Sequence, residues 1–319
     1  MKRTTLTPKL ICTALLAVGL LTASAARSAM ATRDWQGDDT KFWGNDRNWY
    51  GGDMPTGSMQ ANFGSRFGSG GDQPTVGSGY FYLNQIKVGS GNDKAVTITL
   101  NGQLRINADS DASGVGIMMS AADEKLTFDG EGTLKINSSG SGDTSEWRVT
   151  GTGDLEVRME TLELAGASLN VNVGSGRSVK ISSAIEGSSA IVKNGTGNMS
   201  FIDEGTARAN TNTGLFTINS GIVYLNQSST NTTIVSNIDI TDGELSLTQN
   251  DQIKDTSAIT LTGGTFHTNG KTETVGSILL NASDAKLDGT GGSLTVTGGV
   301  DARSGTINTD LVGGTTLEI

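Results

Sequence analysis

Cysteine is nearly absent from this chain of 319 residues, and histidine and proline are scarce. Cys12 is the one cysteine and His267 the one histidine, while proline occurs 3 times. A zinc site needs a cluster of histidine and cysteine ligands, which this composition excludes. A Ser-His-Asp triad would depend on His267 alone, and no Gly-x-Ser-x-Gly turn supports one. Because His267 alternates with Phe266 in an ordinary repeat strand, we expect it to be a surface residue.

Positive charge is also limited. The chain has 23 Lys and Arg against 33 Asp and Glu, and its formal net charge is −10. No cluster of Lys or Arg offsets this balance, and nucleic-acid affinity depends mainly on basic side chains that neutralise phosphates. We therefore expect no nucleic-acid partner, and we expect the charge to keep the chain soluble.

The one long apolar stretch is N-terminal, and residues 1–25 have the pattern of a secretory signal peptide. A positive region precedes the apolar segment Leu10–Leu21, and Ala23-Ser24-Ala25 is a cleavage site of small residues. The apolar run is shorter than the ~20 residues of a transmembrane helix. We expect export to the cell surface or beyond, with no transmembrane segment in the mature chain. Cleavage of the signal peptide would remove the single cysteine, so disulfides would not stabilise the mature protein.

Glycine is abundant instead, and the aromatic residues are concentrated near the N-terminus. The chain contains 45 Gly, and 10 of its 16 aromatic residues lie between Trp35 and Tyr82. We interpret residues 32–82 as a separate, aromatic-cored β element that caps the first turn of the repeat region. Such caps protect the unpaired backbone groups at the end of stacked strands.

From residue 83 to 319, a short unit recurs in which a Gly- or Asn-bearing turn precedes an alternating strand. The leading core-facing residues of these units are Leu104, Leu134, Leu155, Leu169, Met199, Val223, Leu245, Phe266 and Leu294. Their spacing drifts around a period in the low twenties, which is typical of one coil of a β-solenoid.

Alternation within each unit places one side chain in the core and the next in solvent. Leu104 and Ile106 share one face of their strand, while Arg105 lies on the other. One coil alone cannot offset an ordering cost of ~1.5 kcal/mol per residue, so stacked neighbours must supply a common core. We therefore predict an all-β fold, a right-handed parallel β-helix (β-solenoid), over residues 83–319.

An antiparallel sandwich or barrel is the alternative architecture. The Asn-Gly pairs at residues 101–102 and 194–195 would suit its hairpins. Sandwich strands, however, recur every ~8–12 residues and lack this self-similarity. The solenoid is therefore the favoured fold.

Asparagine often follows the repeat strand, at Asn107, Asn137, Asn172, Asn219 and Asn308. Asparagine tolerates the left-handed backbone of tight turns and can hydrogen-bond its own turn. Stacked asparagines of neighbouring coils can also form a ladder. The sequence leaves both interpretations open.

The start of the chain has a distinctive order of residues. Residues 42–49 read Phe-Trp-Gly-Asn-Asp-Arg-Asn-Trp, and Gly51-Gly52, Pro55 and the Phe-Gly strand at residues 61–64 come next. This order resembles the start of bacterial proteins with autotransporter-associated β-strand repeats. Members of that family commonly open with this order of Trp, Asn-Trp, Gly-Gly turn and short strand.

Residues 191–201 and 216–225 are similar to the repeat of the same family. That repeat reads Lys-x-Gly-x-Gly-x-Leu-x-Leu, then a Tyr-x-Gly loop, then a Thr-x-Ile-x-x-Gly-x-Leu strand. The loop at residues 203–210 departs from the pattern, because it lacks the usual aromatic residue. The resemblance implies a passenger-like parallel β-helix displayed at the cell surface, with no catalytic residues to carry over.

The C-terminus also departs from an autotransporter. Such a protein needs a translocator barrel of roughly twelve strands, whereas residues 313–319 read as another repeat strand. We expect either a passenger-only product or an incomplete chain.

For function, we expect a non-enzymatic exported protein with a structural or adhesive role. We assign no catalytic residues, no metal site and no cofactor. Its partners would be cell-surface glycans or proteins, or further copies of the chain, as in a sheath or matrix subunit. The alternative is a β-helix polysaccharide hydrolase or lyase, because such enzymes group acidic residues on successive coils.

Three local acidic pairs are candidates for that alternative, namely Asp109/Asp111, Asp123/Glu124 and Asp203/Glu204, and the first of them is also a candidate for calcium. None is flanked by the aromatic platforms that sugar binding favours. Asp-x-Asp alone is a weak calcium signal.

Overall fold

Three series of parallel strands wind around one apolar core. The structure, a computed structural model, describes residues 30–37, 40–67, 72–92, 94–108, 114–120, 124–137, 144–166, 168–204, 208–228, 233–312 and 317–318. Among these residues, the one helical segment is a single 3-10 turn at Asp46–Asn48. The predicted all-β, parallel β-helix is confirmed. The predicted signal peptide, residues 1–25, lies outside the described residues.

The first face is a parallel ladder that runs along the whole described solenoid. Ile191, Phe216, Ile238, Ile259 and Ile278 lie in register on successive strands, and all five are buried. Its strands are β1 (Thr32–Asp34), β2 (Gln60–Phe63), β5 (Gln85–Val88), β8 (Val115–Met118), β11 (Thr144–Val149), β14 (Ser168–Val173), β17 (Ala190–Asn194), β19 (Phe216–Ile218), β21 (Ile238–Ile240), β23 (Ala258–Leu261), the first parts of β26 (Ser277–Val296) and β27 (Val300–Val312), and β28 (Leu317–Glu318).

The second face carries a matching ladder. Met199, Val223, Leu245, Phe266 and Leu287 form a buried column in it. Its strands are β3 (Thr75–Val76), β6 (Val96–Leu100), β9 (Leu126–Asp129), β12 (Leu155–Val157), β15 (Ser178–Ile181), β18 (Asn198–Ile202), β20 (Ile222–Asn226), β22 (Glu244–Leu247), β24 (Thr265–His267) and the middle parts of β26 and β27.

The third face is regular only near the N-terminus. There a sheet of 5 strands contains β4 (Tyr80–Leu83), β7 (Gln103–Asn107), β10 (Thr133–Asn137), β13 (Thr161–Ala165) and β16 (Ala184–Gly187). Leu104, Leu134, Leu162 and Ile185 form its core column. After β16 the face continues as irregular segments, joined by an isolated parallel bridge between the buried Ile234 and Ile253, until β25 (Thr272–Val275) pairs with the last part of β26.

The repeat unit recognised in the sequence is one strand, and not one whole coil. Leu104 lies on the third face, Leu155 on the second and Leu169 on the first. The predicted series of leading residues therefore mixes faces, because strands on all three faces share the same alternation. A whole coil separates residues that lie in register, such as Ile238 and Ile259, which are 21 positions apart.

The aromatic-rich N-terminus is continuous with the solenoid. β1 pairs in parallel with β2, and β2 pairs in parallel with β5. The boundary predicted between residues 82 and 83 falls inside β4, which pairs with β7. Residues 32–82 thus supply strands to all three faces, because their backbone follows the same coil path.

A buried aromatic cluster closes this end of the core, as the sequence predicts. Its members are Trp35, Trp43, Trp49, Phe63 and Phe67, each at most 1% exposed. The Trp49 ring lies 4.9 Å from that of Trp35 and 4.8 Å from that of Trp43, both at steep angles. Trp49 Nε1 also donates to the Trp43 carbonyl at 2.8 Å. Edge-to-face packing of this kind adds to the stability gained from burial.

Within the described part of the chain, asparagines of neighbouring coils bond each other in two places. Asn137 Nδ2 donates to Asn107 Oδ1 at 3.1 Å on the third face. Asn219 Nδ2 donates to Asn194 Oδ1 at 2.9 Å, where the first face turns into the second. Asn308 bonds Asp288 instead, at 2.8 Å. These side-chain bonds fix the register between coils at the corners.

Candidate functional site

Several aromatic side chains of the N-terminal region point into solvent, and not into the aromatic core that the sequence predicts. Phe42 and Tyr50 are each 53% exposed, Tyr82 is 53% exposed and Tyr80 is 82% exposed. Tyr80 and Tyr82 flank Phe81 on β4, and Phe81 packs against the core. Strict alternation on this strand therefore turns both tyrosines outward.

The two tyrosines begin two outward columns on the third face. In one column, Tyr82 is followed in register by Arg105, Lys135, Glu163 and Glu186. In the other, the order is Tyr80, Gln103, Thr133, Thr161 and Ala184. The outer surface thus changes from aromatic through cationic to anionic along the solenoid axis.

A shallow concavity of about 300 Å³ lies over the first two strands of this sheet. Its lining consists of Tyr80, Phe81, Tyr82, Gln103, Arg105 and Asn107. We call Tyr80, Tyr82, Gln103, Arg105 and Asn107 the aromatic face. Concave surfaces with aromatic walls and a few polar groups are the usual form of ligand sites.

The cations next to the tyrosines differ in their partners. Lys135 makes an ion pair with Glu163. Arg105 donates from Nε to Asn107 Oδ1 at 2.7 Å, and Asn137 donates to the same oxygen. Among the described residues, no carboxylate lies within ion-pair distance of Arg105. The terminal guanidinium nitrogens therefore remain available beside the two rings.

A buried lysine near the end of β17 reaches the corner that follows this strand. Lys193 is fully buried, and its Nζ donates to the carbonyls of Asn194, Gly195 and Ser220 at 2.9, 2.7 and 3.1 Å. Burial lowers the pKa of Lys193 to about 8, so the ammonium form still prevails at neutral pH. Its three N–H donors match three carbonyls, which is the number an ammonium group can satisfy.

The two glycines after Lys193 are required by the coil below. A Cβ on Gly195 would lie 2.3 Å from the Val173 carbonyl oxygen, and a Cβ on Gly197 would lie 2.1 Å from the Gly174 carbonyl oxygen. The Lys-x-Gly-x-Gly segment thus has a structural role at this corner. It joins two faces, and it contributes no reactive group to the surface.

A buried polar stack replaces the strands of the third face between β16 and β25. Asn210 Oδ1 accepts from Ile185 N at 2.8 Å, and Asn210 Nδ2 donates to the Thr233 carbonyl at 2.7 Å. Thr233 Oγ1 donates to Gln252 Oε1 at 2.8 Å, and Gln252 N donates to Glu273 Oε2 at 2.7 Å. The stack therefore adds side-chain hydrogen bonds between coils where, in the described part of the third face, strand pairing is reduced to one isolated parallel bridge between Ile234 and Ile253.

Glu273 ends this stack with a fully buried carboxyl group. Burial raises the pKa of Glu273 to about 7, against the opposing effect of N–H donors from Gln252, Ile253 and Thr274. The sequence carries no signal for this residue, because Glu273 lies in an ordinary Thr-rich strand.

His267 lies in a column with Ser246 and Asp288 on the second face, and these are the residue types of a hydrolytic triad. His267 Nδ1 accepts from Asn269 N at 3.2 Å, and Nε2 lies 3.7 Å from Asp288 Oδ2. Ser246 is buried, and its Oγ accepts from Asn269 Nδ2 at 2.7 Å. Since both imidazole nitrogens already have neighbours, neither is placed to take a proton from the serine.

Asp288 itself is held as a carboxylate. A hydrogen bond from Asn308 lowers its pKa, and the Gly289 N–H and the nearby His267 and Lys286 act in the same direction.

The predicted acidic pairs do not converge within the described residues. Glu204 lies 3.6 Å from Arg158, and Asp203 accepts from Ser228 N. Asp109, Asp111 and Asp123 lie outside the described residues. In the part of the chain that the structure covers, no group of three or more His, Cys, Asp or Glu is placed to hold a metal ion. That part also contains no helix with the length and apolarity of a membrane span.

Known proteins give no further guide to the site. No protein-family model matches this sequence, and no curated protein or solved structure is significantly similar to it.

Proposed function

We propose that this protein is an exported, passenger-like β-helix protein, without enzymatic activity, that has an adhesive role at the bacterial cell surface or outside the cell. The observation that carries the proposal is the aromatic face, where two exposed tyrosines and an open guanidinium lie on a regular sheet. Exposed aromatic clusters rimmed by polar groups are typical of interaction surfaces.

Two features of the sequence support the export part of the proposal. Residues 1–25 have the three parts of a cleavable signal peptide. The repeat segments that resemble autotransporter passengers supply the corner at Lys193 and the buried strands beside it. A cleavable signal peptide followed by a β-solenoid is consistent with a protein that is presented outside the cell.

Export is tested by fractionating cells that produce the full chain and sequencing the N-terminus of the mature product. We expect a mature protein that begins shortly after Ala25 and is recovered from the cell surface or the medium. Recovery of uncleaved protein from the cytoplasm would contradict the proposal.

Adhesion is tested by deleting the gene and measuring attachment of the cells to host cells and to abiotic surfaces. We expect reduced attachment, restored by the wild-type gene. A complemented strain carrying Tyr80→Ala and Tyr82→Ala together should remain defective, while one carrying Tyr224→Ala on the second face should attach normally. Unchanged attachment of the deletion strain would refute the adhesive role.

A further inference from the structure

We propose that the aromatic face binds an acidic oligosaccharide, that is, a glycan whose sugar rings carry carboxylate groups. The inference deepens the proposed adhesive function, on which it rests, by naming the chemistry of the ligand. Three properties of the aromatic face support it: its rings, its open cation and its position on the charge gradient.

The rings supply a stacking surface of the right dimensions. Tyr80 and Tyr82 are two positions apart on β4, so their side chains leave the strand about 7 Å apart on the same side. Both rings are exposed, and the concavity beside them has a volume of about 300 Å³. Tyrosine combines an apolar ring with a polar hydroxyl and loses little conformational freedom on binding. Flat, half-apolar sugar rings fit such a surface.

The open cation supplies recognition of a carboxylate. Arg105 lies next to Tyr82 in register, and its Nε is held by Asn107 Oδ1 at 2.7 Å. That bond orients the planar guanidinium, whose remaining N–H groups match the two oxygens of a carboxylate. Because the fork is oriented before binding, little side-chain order is lost when the ligand arrives.

Neighbouring charges restrict the site to one anionic group at a time. Lys135 is occupied by its ion pair with Glu163, and Glu186 follows in the same column. A nucleic acid needs several basic side chains to neutralise successive phosphates, and the chain has a net charge of −10. A neutral glycan would leave the guanidinium without a counterion. A glycan with spaced carboxylates is the ligand that satisfies both the rings and Arg105.

The test uses isothermal titration calorimetry of the full purified chain with three probes: oligogalacturonate, alginate oligosaccharide and hyaluronan oligosaccharide. We expect at least one to bind, and its methyl-esterified form to bind about tenfold more weakly, a difference of ~1.4 kcal/mol. Arg105→Gln should cause a similar loss with the acidic probe and should leave binding of the ester unchanged. Arg105→Lys should recover only part of the affinity, because lysine lacks the planar fork.

The tyrosines are tested with the same probe. Tyr80→Ala with Tyr82→Ala should weaken binding by tenfold or more, and the paired Phe variants should retain most of it. Tyr224→Ala serves as the matched control, since Tyr224 is a partly exposed tyrosine on the second face. All these side chains point outward, so circular dichroism and thermal unfolding of the variants should match the wild type.

The proposal is overturned if none of the three probes binds, if the methyl ester binds as well as the acid, or if the variant with both Tyr80→Ala and Tyr82→Ala binds as the wild type does. The proposed adhesive function fails separately, through unchanged attachment of the deletion strain. Wild-type attachment that depends on Tyr80 and Tyr82, without binding of any acidic probe, would overturn the glycan proposal and assign the aromatic face to a protein partner instead.

Discussion

At the scale of single residues, the corners of the solenoid are the most constrained positions. Side chains on the outer faces have room, whereas a corner brings the backbones of successive coils into contact. Gly197 and Gly195 lie where a Cβ would overlap a carbonyl of the coil below. Lys193 satisfies the carbonyls that the turn leaves unpaired. The Lys-x-Gly-x-Gly pattern thus follows from packing and hydrogen bonding.

Gly197→Ala should therefore destabilise the protein although it adds a single methyl group. The new Cβ would lie 2.1 Å from the Gly174 carbonyl oxygen and 2.7 Å from the Arg177 carbonyl oxygen. Forcing coils apart costs roughly 1–3 kcal/mol, as in other overpacked sites. Gly77→Ala is the control, because no atom lies within 4 Å of its Cβ position. Chemical denaturation measures both, and equal stability of the two variants would contradict the argument.

Lys193→Met should cost about 2 kcal/mol or more, because it leaves three partly buried carbonyls without their ammonium donor. The comparison variant is Lys180→Met, which removes an exposed partner 3.7 Å from Glu156. Exposed ion pairs contribute ~0–1 kcal/mol, so this second change should have little effect. Denaturant midpoints of the two proteins provide the measurement. If Lys193→Met loses less stability than Lys180→Met, the three carbonyls must accept hydrogen bonds from other donors.

At the scale of strands and faces, the sequence predicts the elements better than their arrangement. Alternation at Leu104, Arg105 and Ile106 predicts a strand with one buried side, and β7 confirms it. The same alternation recurs on all three faces, so it cannot assign a strand to a face. The Tyr-Phe-Tyr order of residues 80–82 does indicate an exposed pair. If Phe81 faces the core, strand alternation turns Tyr80 and Tyr82 toward solvent. Arg105 becomes a site residue only through its register with Tyr82.

The polar stack of the third face predicts a pH dependence. Burial holds the pKa of Glu273 at about 7, whereas the ordinary pKa of a glutamate is 4.5. Between these values the folded chain binds a proton that the unfolded chain has released, so the free energy of unfolding falls as pH rises. Over the whole range, this one group lowers the free energy of unfolding by about 3 kcal/mol. The stabilisation should be fully present below about pH 4.5 and lost once the pH exceeds about 7.

Glu273→Gln should remove this dependence, because an amide does not titrate in that range. Denaturant unfolding at several pH values between about 4 and 8 measures the slope of the free energy of unfolding against pH. Glu186→Gln, on the exposed outer surface of the third face, should retain the wild-type slope. If the Glu273→Gln variant keeps the same slope, other titratable groups cause the pH dependence.

At the scale of the whole molecule, stability should be close to a sum over neighbouring coils, because each coil contacts mainly the coils next to it. The register shows where one coil can be removed cleanly. Leu104, Leu134 and Leu162 occupy one column on the third face, so deleting residues 134–161 brings Leu162 next to Leu104. The same deletion brings β14 next to β8 and β15 next to β9, which keeps all three faces in register.

That whole-coil deletion should fold into a solenoid about 5 Å shorter, because one layer of strands has been removed. Deletion of residues 134–147 is the matched comparison. It removes half as many residues and joins third-face sequence to the end of a first-face strand, so later core residues meet the wrong neighbours. Far-UV circular dichroism, thermal unfolding and small-angle scattering should show a cooperative β fold for the longer deletion and loss of cooperativity for the shorter one. If the longer deletion unfolds as readily as the shorter, coil-to-coil register is not what holds this molecule together.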